Sequence, residues 1–579
     1  MSRAAYVVAF VCLAAFLALA LGDLLTTSPT SDETVHLAAG WSYLATHDFR
    51  INPEHPPLLK VMAAAPLMSM QVSRDALQSE GWRDSIAHLT GEWSFPHSFF
   101  YEQKNGVYVN DPATMFRRAR IVLLLFCGLG TALVVFFWAL ELWGPWGAAL
   151  SLALYCFSPN FIAHSGLVTT DAGVCFLMTA AVYFFWRWWR TPSILNASLF
   201  VLAFAVAQIV KFSALFLFLL IPILALFAWR GPAKSRPLHL FALYGGGIVA
   251  AWVVIWGAYG FRFAASESPL PMKQAVDEWY AKLHFIGGGE TLTDESLRRA
   301  AETTPIGWFG RVLEIEYDHH LLPEAYVYGI AQMQSYGALR QSYLNGEQSL
   351  TGFRSYFLEA FLFKTPIATI AAIACALFVA FRSRRREPFL LIPAALYLLF
   401  ALTSHVDLGI RHLLPIYPFL YVLCGILGRR FLIAAAAAAL SCLVVFAPFD
   451  PMWGHHLSYF NELAGGPTRG WKILSDSNVD WGQDLPRLHD WLAAHGGAGQ
   501  KINLVYFGTA DPHYYGIVYA DLLQNEPPVH PGYLAISVTR YSGAASDFFK
   551  THEWQEFVAS HDAKLVGRAG YSILIFEMP

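Results

Sequence analysis

The sequence predicts a polytopic α-helical membrane protein of about eleven transmembrane helices, closed by a C-terminal soluble α/β domain on the outer face. Three observations predict it. Hydrophobic residues make up 56% of the 579 residues and charged ones only 14%, with a mean hydropathy of +0.41. A soluble protein carries roughly 25% charge, so this chain cannot cover itself with polar surface. Apolar runs near the roughly 20 residues needed to cross a bilayer recur along the chain. The short gaps between them alternate between rich and poor in Lys and Arg. An ordinary soluble enzyme is excluded, as are a disordered and a collagen-like chain. A net charge of -3 leaves no basic footprint for nucleic acid.

The runs cover residues 5–25, 119–140, 147–164, 172–189, 194–210, 213–229, 239–261, 360–381, 388–403, 412–428 and 431–449. The first follows Arg3 and contains Ala18-Leu19-Ala20, which resembles a signal-peptide cleavage site. Its apolar run is longer than a usual signal core, which favours retention as a span. With the N-terminus cytoplasmic, the gaps on that side hold Arg187 and Arg190; Arg230, Lys234 and Arg236; Arg382, Arg384, Arg385 and Arg386; and Arg429 and Arg430. Only the gap Glu141–Trp146 lacks a cation, and the short opposite gaps hold just Lys211 and Arg411. This is the positive-inside bias. Trp143, Trp146, Trp188, Trp189 and Trp229 fall at span ends, where aromatic belts sit.

The membrane part is thus expected over 1–449 and a soluble domain over 450–579. Loops 26–118 and 262–359 and the tail share the outer face. Within the tail, Lys501–Phe507, Gly532–Val538 and Ser572–Phe576 read as strands and Asp484–Ala494 as an amphipathic helix. The seven cysteines, Cys12, Cys127, Cys156, Cys175, Cys375, Cys424 and Cys442, all lie in apolar runs. They give neither a disulfide framework nor a CxxC site and read as small buried hydrophobes.

Several constellations carry possible chemistry. Asp32-Glu33 follows the first span. Ser31 as a helix cap with acids in the first turn is the plain reading; a general base at the mouth of a membrane cavity is the functional one. Asn52-Pro53-Glu54-His55-Pro56-Pro57 holds Glu54 and His55 on a stiff extended chain. The Leu58–Met68 run after it suits a helix lying in the interface. Asp171 sits in a very short outer turn, at the depth of Asp32. Lys211, Arg262, Arg411 and His412 are cations at that depth, where snorkelling competes with phosphate binding. Asp476–Asp484 resembles a calcium loop but places its glycine one position late and Arg487 where the closing glutamate belongs. An Asx-rich turn fits better, and Trp481 is available to stack on a sugar. No GxxxxGK[ST], HExxH or GxSxG is present. No cofactor is indicated; a divalent metal has no dense ligand cluster, although Asp32, Asp171 and His55 could meet in space.

These features resemble the GT-C superfamily of membrane glycosyltransferases, of the protein O-mannosyltransferase and aminoarabinose-transferase type. The bacterial members called family 39 or phospholipid-carrier-dependent glycosyltransferases are the nearer likeness. The residues that carry it are Asp32-Glu33-Thr34 with Ala38 and Tyr43-Leu44, then Glu54-His55-Pro56-Pro57-Leu58 in the place of E-K-P-P-L. Asp171, Lys211-Phe212 and Gly409-Ile410-Arg411-His412-Leu413-Leu414-Pro415 follow, and Leu457–Gly466 with Asp476–Asp484 completes the set. The likeness touches most of residues 1–490. It departs at His55, where aminoarabinose-type relatives carry a lysine that contacts the donor phosphate.

The resemblance implies a GT-C fold in a bacterial cell membrane, with the active site outside. It implies a polyprenyl-phosphate-linked sugar donor, hexosyl or pentosyl, and a protein, lipid or glycan acceptor. Asp32 is expected as general base and Glu33 as a supporting acid. Glu54, His55, Asp171, Lys211, Arg262, Arg411 and His412 are the donor-binding set. The chemistry agrees: the donor is already activated, so one base, cations for the leaving phosphate and a water-poor cleft suffice. One base and direct displacement would invert the anomeric centre; retention needs a second carboxylate. The rival readings are a transporter or flippase and a polysaccharide ligase or polymerase. Against transport stand the lack of an internal repeat and the clustering of ionisable groups at the outer surface.

Overall fold

The computed structural model describes residues 3–85, 91–229, 237–287, 293–385, 387–429, 454–545 and 552–579. The expected span 431–449, Cys442, and the gap residues Arg230, Lys234, Arg236, Arg386 and Arg430 lie outside the described residues.

Helix dominates the first three quarters of the chain. Among the described residues, four helices are long and apolar enough to cross a membrane: α1 (Arg3–Thr26), Pro112–Trp143, Leu238–Ala258 and Ile410–Gly428. Tyr356–Lys364 and Ile367–Arg382 make a fifth if counted together, although a 111° bend separates them. Of the other expected runs, 172–189 is one unbroken helix of 20 residues (Asp171–Arg190), and the rest are helical but shorter or broken. Residues 147–164 split into Pro145–Cys156 and Pro159–His164, because Pro159 cannot continue the first helix. Ile194–Ala207 and Pro388–Leu402 fall short of the roughly 20 residues a perpendicular span needs. Five of the cysteines are buried as expected, but Cys375 is exposed on Ile367–Arg382.

The elements that build the site come early. Pro29 and Thr30 start α2 (Ser31–Thr46), and Thr30, rather than Ser31, is its cap. Thr30 and Glu33 form a reciprocal capping box, with Glu33 Oε2 accepting from the Thr30 amide at 2.8 Å. The extended segment 47–57 then leads to α3 (Leu58–Ala64). This helix does not lie free in the interface: Leu59, Lys60, Ala63 and Ala64 are buried. Gly40 of α2 makes that packing possible, since a Cβ there would stand 2.0 Å from the Lys60 carbonyl oxygen.

Later elements close over this pair. The α4 helix (Gly91–Tyr101) borders it, and α5 (Pro112–Trp143) inserts Arg120 beneath α2. The helix α6 (Asp171–Arg190) brings Asp171 to its first turn. Two outer helices, α7 (Met272–Gly287) and α8 (Glu324–Ala338), pack on each other, and α9 (Ile410–Gly428) opens with a tight turn that carries Arg411 and His412.

The tail is an α/β unit. Two short hairpins, β1–β2 (Gln103–Lys104 and Val107–Tyr108) and β3–β4 (Ser342–Leu344 and Glu347–Ser349), precede it. Its sheet comprises β5 (Ile502–Val505), β6 (Tyr519–Asp521), β7 (Gly532–Ser537), β8 (Lys564–Ala569) and β9 (Ile573–Met578), in the order β6-β5-β7-β9-β8. The strands around β5 are parallel and β9 is antiparallel to both its neighbours. The expected strands and the helix Leu485–Ala494 are present; β6 and β8 add two not anticipated. The stretch before the sheet is woven into the helical part rather than hung from it. The Ser28 amide donates to the Gln483 carbonyl at 3.0 Å, Ser31 to that of Trp481 at 3.0 Å, and Thr34 shares a 2.7 Å hydroxyl bond with Thr509.

Candidate active site

Asp32 and Glu33 leave α2 in different directions, and the structure gives them different work. Glu33 is fully buried and bound on every side. Its Oε1 accepts from Arg120 Nε at 2.8 Å and the Val168 amide at 3.0 Å; its Oε2 accepts from Arg120 at 2.6 Å and from Thr30. A carboxylate has about four acceptor positions, so none remains for a substrate. Glu33 fixes the base of α2, while Arg120 also donates to the carbonyls of Leu24 and Ser28.

Asp32 keeps 21% of its side chain exposed and faces Arg411, whose guanidinium donates to Oδ2 at 2.7 Å. The same nitrogen lies 3.5 Å from Asp171 Oδ2, and Lys211 Nζ binds Asp171 Oδ1 at 2.5 Å. Arg411 stacks on the Trp481 ring, 4.2 Å from guanidinium carbon to centroid. Trp481 thus serves a cation rather than standing free for a sugar. Burial pushes the Asp32 carboxyl up, but the Arg411 charge and then His36 pull it further down, so it lies below the ordinary aspartate value.

His36 was not singled out in the sequence, though it stands four residues after Asp32 on the same helix face. Its Nδ1 is 2.8 Å from the Val168 carbonyl, which can only accept, so Nδ1 carries the proton and a neutral ring leaves Nε2 bare. Burial pushes this imidazole down to about 4 against the pull of Asp32. His55 packs edge-on against it, 5.1 Å between centroids, and is held well below its usual range by burial, then by His36 and Lys211.

Beside Arg411 opens a pocket of about 400 Å³, mouth included. Asp171, Lys211, Ser213, Arg411 and His412 make its polar end; Phe357, Tyr397, Phe400 and Pro415 make an apolar wall. Four polar atoms here are buried without a hydrogen-bond partner: Arg411 Nε, His412 Nε2, Ser213 Oγ and Asp171 Oδ2. Three of these can donate a hydrogen bond, and Lys211 stands beside them. The pocket is therefore suited to an anion with an apolar chain attached.

Three residues of the expected donor set lie outside this pocket: Arg262, Glu54 and His55, the last of which packs on His36 instead. Arg262 does not line this pocket: it donates to the His47 carbonyl at the end of α2 and to that of Ala265. These two backbone carbonyls occupy its guanidinium. Glu54 accepts from Asn52 Nδ2 at 3.1 Å and turns toward Glu92. A carboxylate facing another carboxyl repels a phosphate rather than binding it. Asp32 and Asp171 do meet, but across Arg411. Among the described residues, no group of three or more His, Cys, Asp or Glu side chains is placed to hold a metal ion.

Residues 85–265 match the family model described as dolichyl-phosphate-mannose-protein mannosyltransferase. That range contains Asp171 and Lys211 but begins after Asp32 and His55, so it supports the GT-C resemblance independently of the first two motifs. Two solved structures of ArnT from Cupriavidus metallidurans are similar along the chain. The apo form is 14% identical, covers 100% of this chain and 98% of its own, and has a TM-score of 0.33. The form bound to undecaprenyl phosphate is 12% identical, covers 99% and 98%, and has a TM-score of 0.33. Superpositions this loose carry no residue correspondences. No curated protein matches this sequence.

Proposed function

We propose that this GT-C-like chain is a membrane glycosyltransferase that moves a sugar from a polyprenyl-phosphate carrier to an acceptor on the outer face of a bacterial cell membrane, with inversion. The observation that carries the reading is the pocket beside Asp32, with the unpartnered Arg411 Nε, His412 Nε2 and Ser213 hydroxyl at one end and an apolar wall at the other. A lipid phosphate satisfies both ends. The family model matched over 85–265 is itself named for a lipid-phosphate sugar donor.

In this reading the phosphate lies between Lys211, Arg411 and His412, and the lipid follows Phe357, Tyr397 and Phe400. Asp171 holds the two cations in place. The acceptor hydroxyl attacks the anomeric carbon, the bond to the phosphate oxygen breaks, and the electron pair leaves with the phosphate, where the cations stabilise it. Asp32 takes the hydroxyl proton. Its lowered pKa makes it a weak base that is deprotonated at neutral pH, so the larger share of catalysis falls to leaving-group stabilisation. Glu33 is a positioning residue. Inversion follows from direct displacement with Asp32 as the one base; retention would need a second, nucleophilic carboxylate. In this reading the pocket, loops 26–118 and 262–359 and the tail all face outside, the side that the charge bias of the short gaps favours.

The test is incubation of the purified protein with a panel of polyprenyl-phosphate sugars, reading free lipid phosphate. Release that depends on an acceptor and disappears in Asp32→Asn supports the reading. Movement of intact donor across a vesicle membrane without release overturns it in favour of a flippase.

A further inference from the structure

A second pocket lies on the other side of the Asn52–His55 segment, between α4, α7 and α8. It holds about 610 Å³ of open space, mouth included. The close approach of α8 to this segment shapes it: at Gly329 a Cβ would stand 2.0 Å from the Pro53 carbonyl oxygen. On the next turn of α8, Gln332 is 4% exposed and lines the pocket. Its Nε2 donates to Tyr336 at 3.1 Å, while Oε1 is buried without a partner. The opposite wall carries Glu92, itself 5% exposed, within electrostatic reach of Asn52 and Tyr336.

The lining decides what class of ligand fits. Its charges are neutralised at home: Arg50 by Asp48 at 2.6 Å and Glu278 by Lys282 at 2.7 Å. Burial raises Glu54, and burial and then the Glu54 charge raise Glu92 well above the usual carboxyl range. Among the described residues an anion finds no free cation here, and a cation finds carboxyls that resist ionising. What remains is a set of neutral donors and acceptors between tyrosine rings and proline faces, the surface that a polyhydroxylated ring matches.

The segment that contributes Pro53 to the pocket wall also runs on to the neighbourhood of the base. Glu54 is within electrostatic reach of Asp32, and the next residue, His55, packs against His36, one turn along α2 from Asp32. We propose that this second pocket binds a neutral saccharide of the acceptor and presents its hydroxyl past Glu54 to Asp32, opposite the phosphate pocket. This rests on the glycosyltransferase reading and names its acceptor class. The step balances as above: the saccharide oxygen gains the anomeric carbon, its proton goes to Asp32, and the phosphate leaves with the bonding electron pair.

The experiment titrates the purified full chain in detergent with neutral gluco-, galacto- and manno-trisaccharides by calorimetry, and assays transfer with the same sugars as acceptors. One trisaccharide should bind saturably. Gln332→Ala, which removes one neutral hydrogen bond, should weaken binding about three- to tenfold and raise the acceptor KM by a similar factor. Gln274→Ala, at the exposed rim, should act in the same direction without threatening the fold. Arg411→Lys, which acts on the phosphate pocket, should leave trisaccharide affinity unchanged. Donor turnover with no trisaccharide bound, or with binding indifferent to both glutamine variants, overturns the acceptor proposal and leaves the enzyme standing. Preferential transfer to a Ser/Thr peptide, unaffected by Gln332→Ala, also overturns it. Trisaccharide binding that both variants weaken, without turnover of any polyprenyl-phosphate sugar, supports the pocket and sinks the glycosyltransferase reading instead.

Discussion

Arg411 joins the base to the phosphate pocket, so its removal tests both at once. One nitrogen holds Asp32 at 2.7 Å, the buried Nε is unpartnered, and the plane stacks on Trp481 at 4.2 Å. Arg411→Lys keeps the charge but loses the fork and most of the stacking. A charge-assisted hydrogen bond contributes about 1.5–3 kcal/mol, and a desolvated cation–ring contact up to about 2 kcal/mol. The lysine recovers part of this, so kcat/KM should fall roughly 10- to 100-fold, at about 1.4 kcal/mol per factor of ten. Arg411→Gln should fall further and also change the pH profile. Asp32 must be ionised to act, so activity is lost as pH falls through its folded value, which Arg411 depresses. Without that cation the burial that raises Asp32 is less opposed, so the acid limb moves to higher pH. Arg411→Lys should leave the limb near its original place. His36, pushed down to about 4, titrates at the acid end as well, and His36→Gln separates its contribution. Initial rates of lipid-phosphate release from pH 4 to 8 measure all of this. An Arg411→Gln enzyme with an unmoved acid limb and kcat/KM within threefold of the parent would falsify the coupling.

Asp32→Asn should lower turnover by roughly 10²–10⁴-fold with donor binding retained, as loss of a general base does; full turnover would move the base to another residue. Glu33→Gln leaves Arg120 buried and uncompensated, a cost of about 3–5 kcal/mol. A clear drop in thermal unfolding temperature is expected, and an unchanged unfolding curve with a dead enzyme would make Glu33 chemical rather than positioning. Cysteine labelling from each side should place 382–385 in the cytoplasm and Leu485–Ala494 outside; a cytoplasmic tail would overturn both the span count and the side of the active site.

How far the site was legible in the sequence depends on what kind of cost each residue carries. Asp32, Asp171, Lys211 and Arg411 stood out because ionisable groups at span ends are expensive to keep, and the fold does gather these four. Arg262 met the same criterion and failed it, because a cation near an interface can equally satisfy stray carbonyls, as it does at His47 and Ala265. Arg120 was missed for the converse reason. It follows Arg117 and Arg118 at a loop border, and nothing local separates the one that turns inward to Glu33. His36 was legible by its spacing from Asp32, but only once α2 was taken as a helix.

The span ladder shows the same limit in another form. Composition finds apolar runs reliably, yet it cannot tell one straight helix from two short ones meeting at a proline, as at Pro159. These breaks gather at the candidate site. The tight turn opening α9 carries Arg411, and Tyr356–Lys364, which ends at the bend, and Pro159–His164, which follows the split, both pack against that turn; each break frees backbone and side chains from the regular pattern of a span. Irregular backbone at membrane depth is tolerated only where it is buried in protein or lines a cavity. The interruptions that blur the count of spans are therefore what leaves room for a polar pocket with an apolar wall, and the 379 residues that separate Asp32 from Arg411 in sequence are brought to 2.7 Å there.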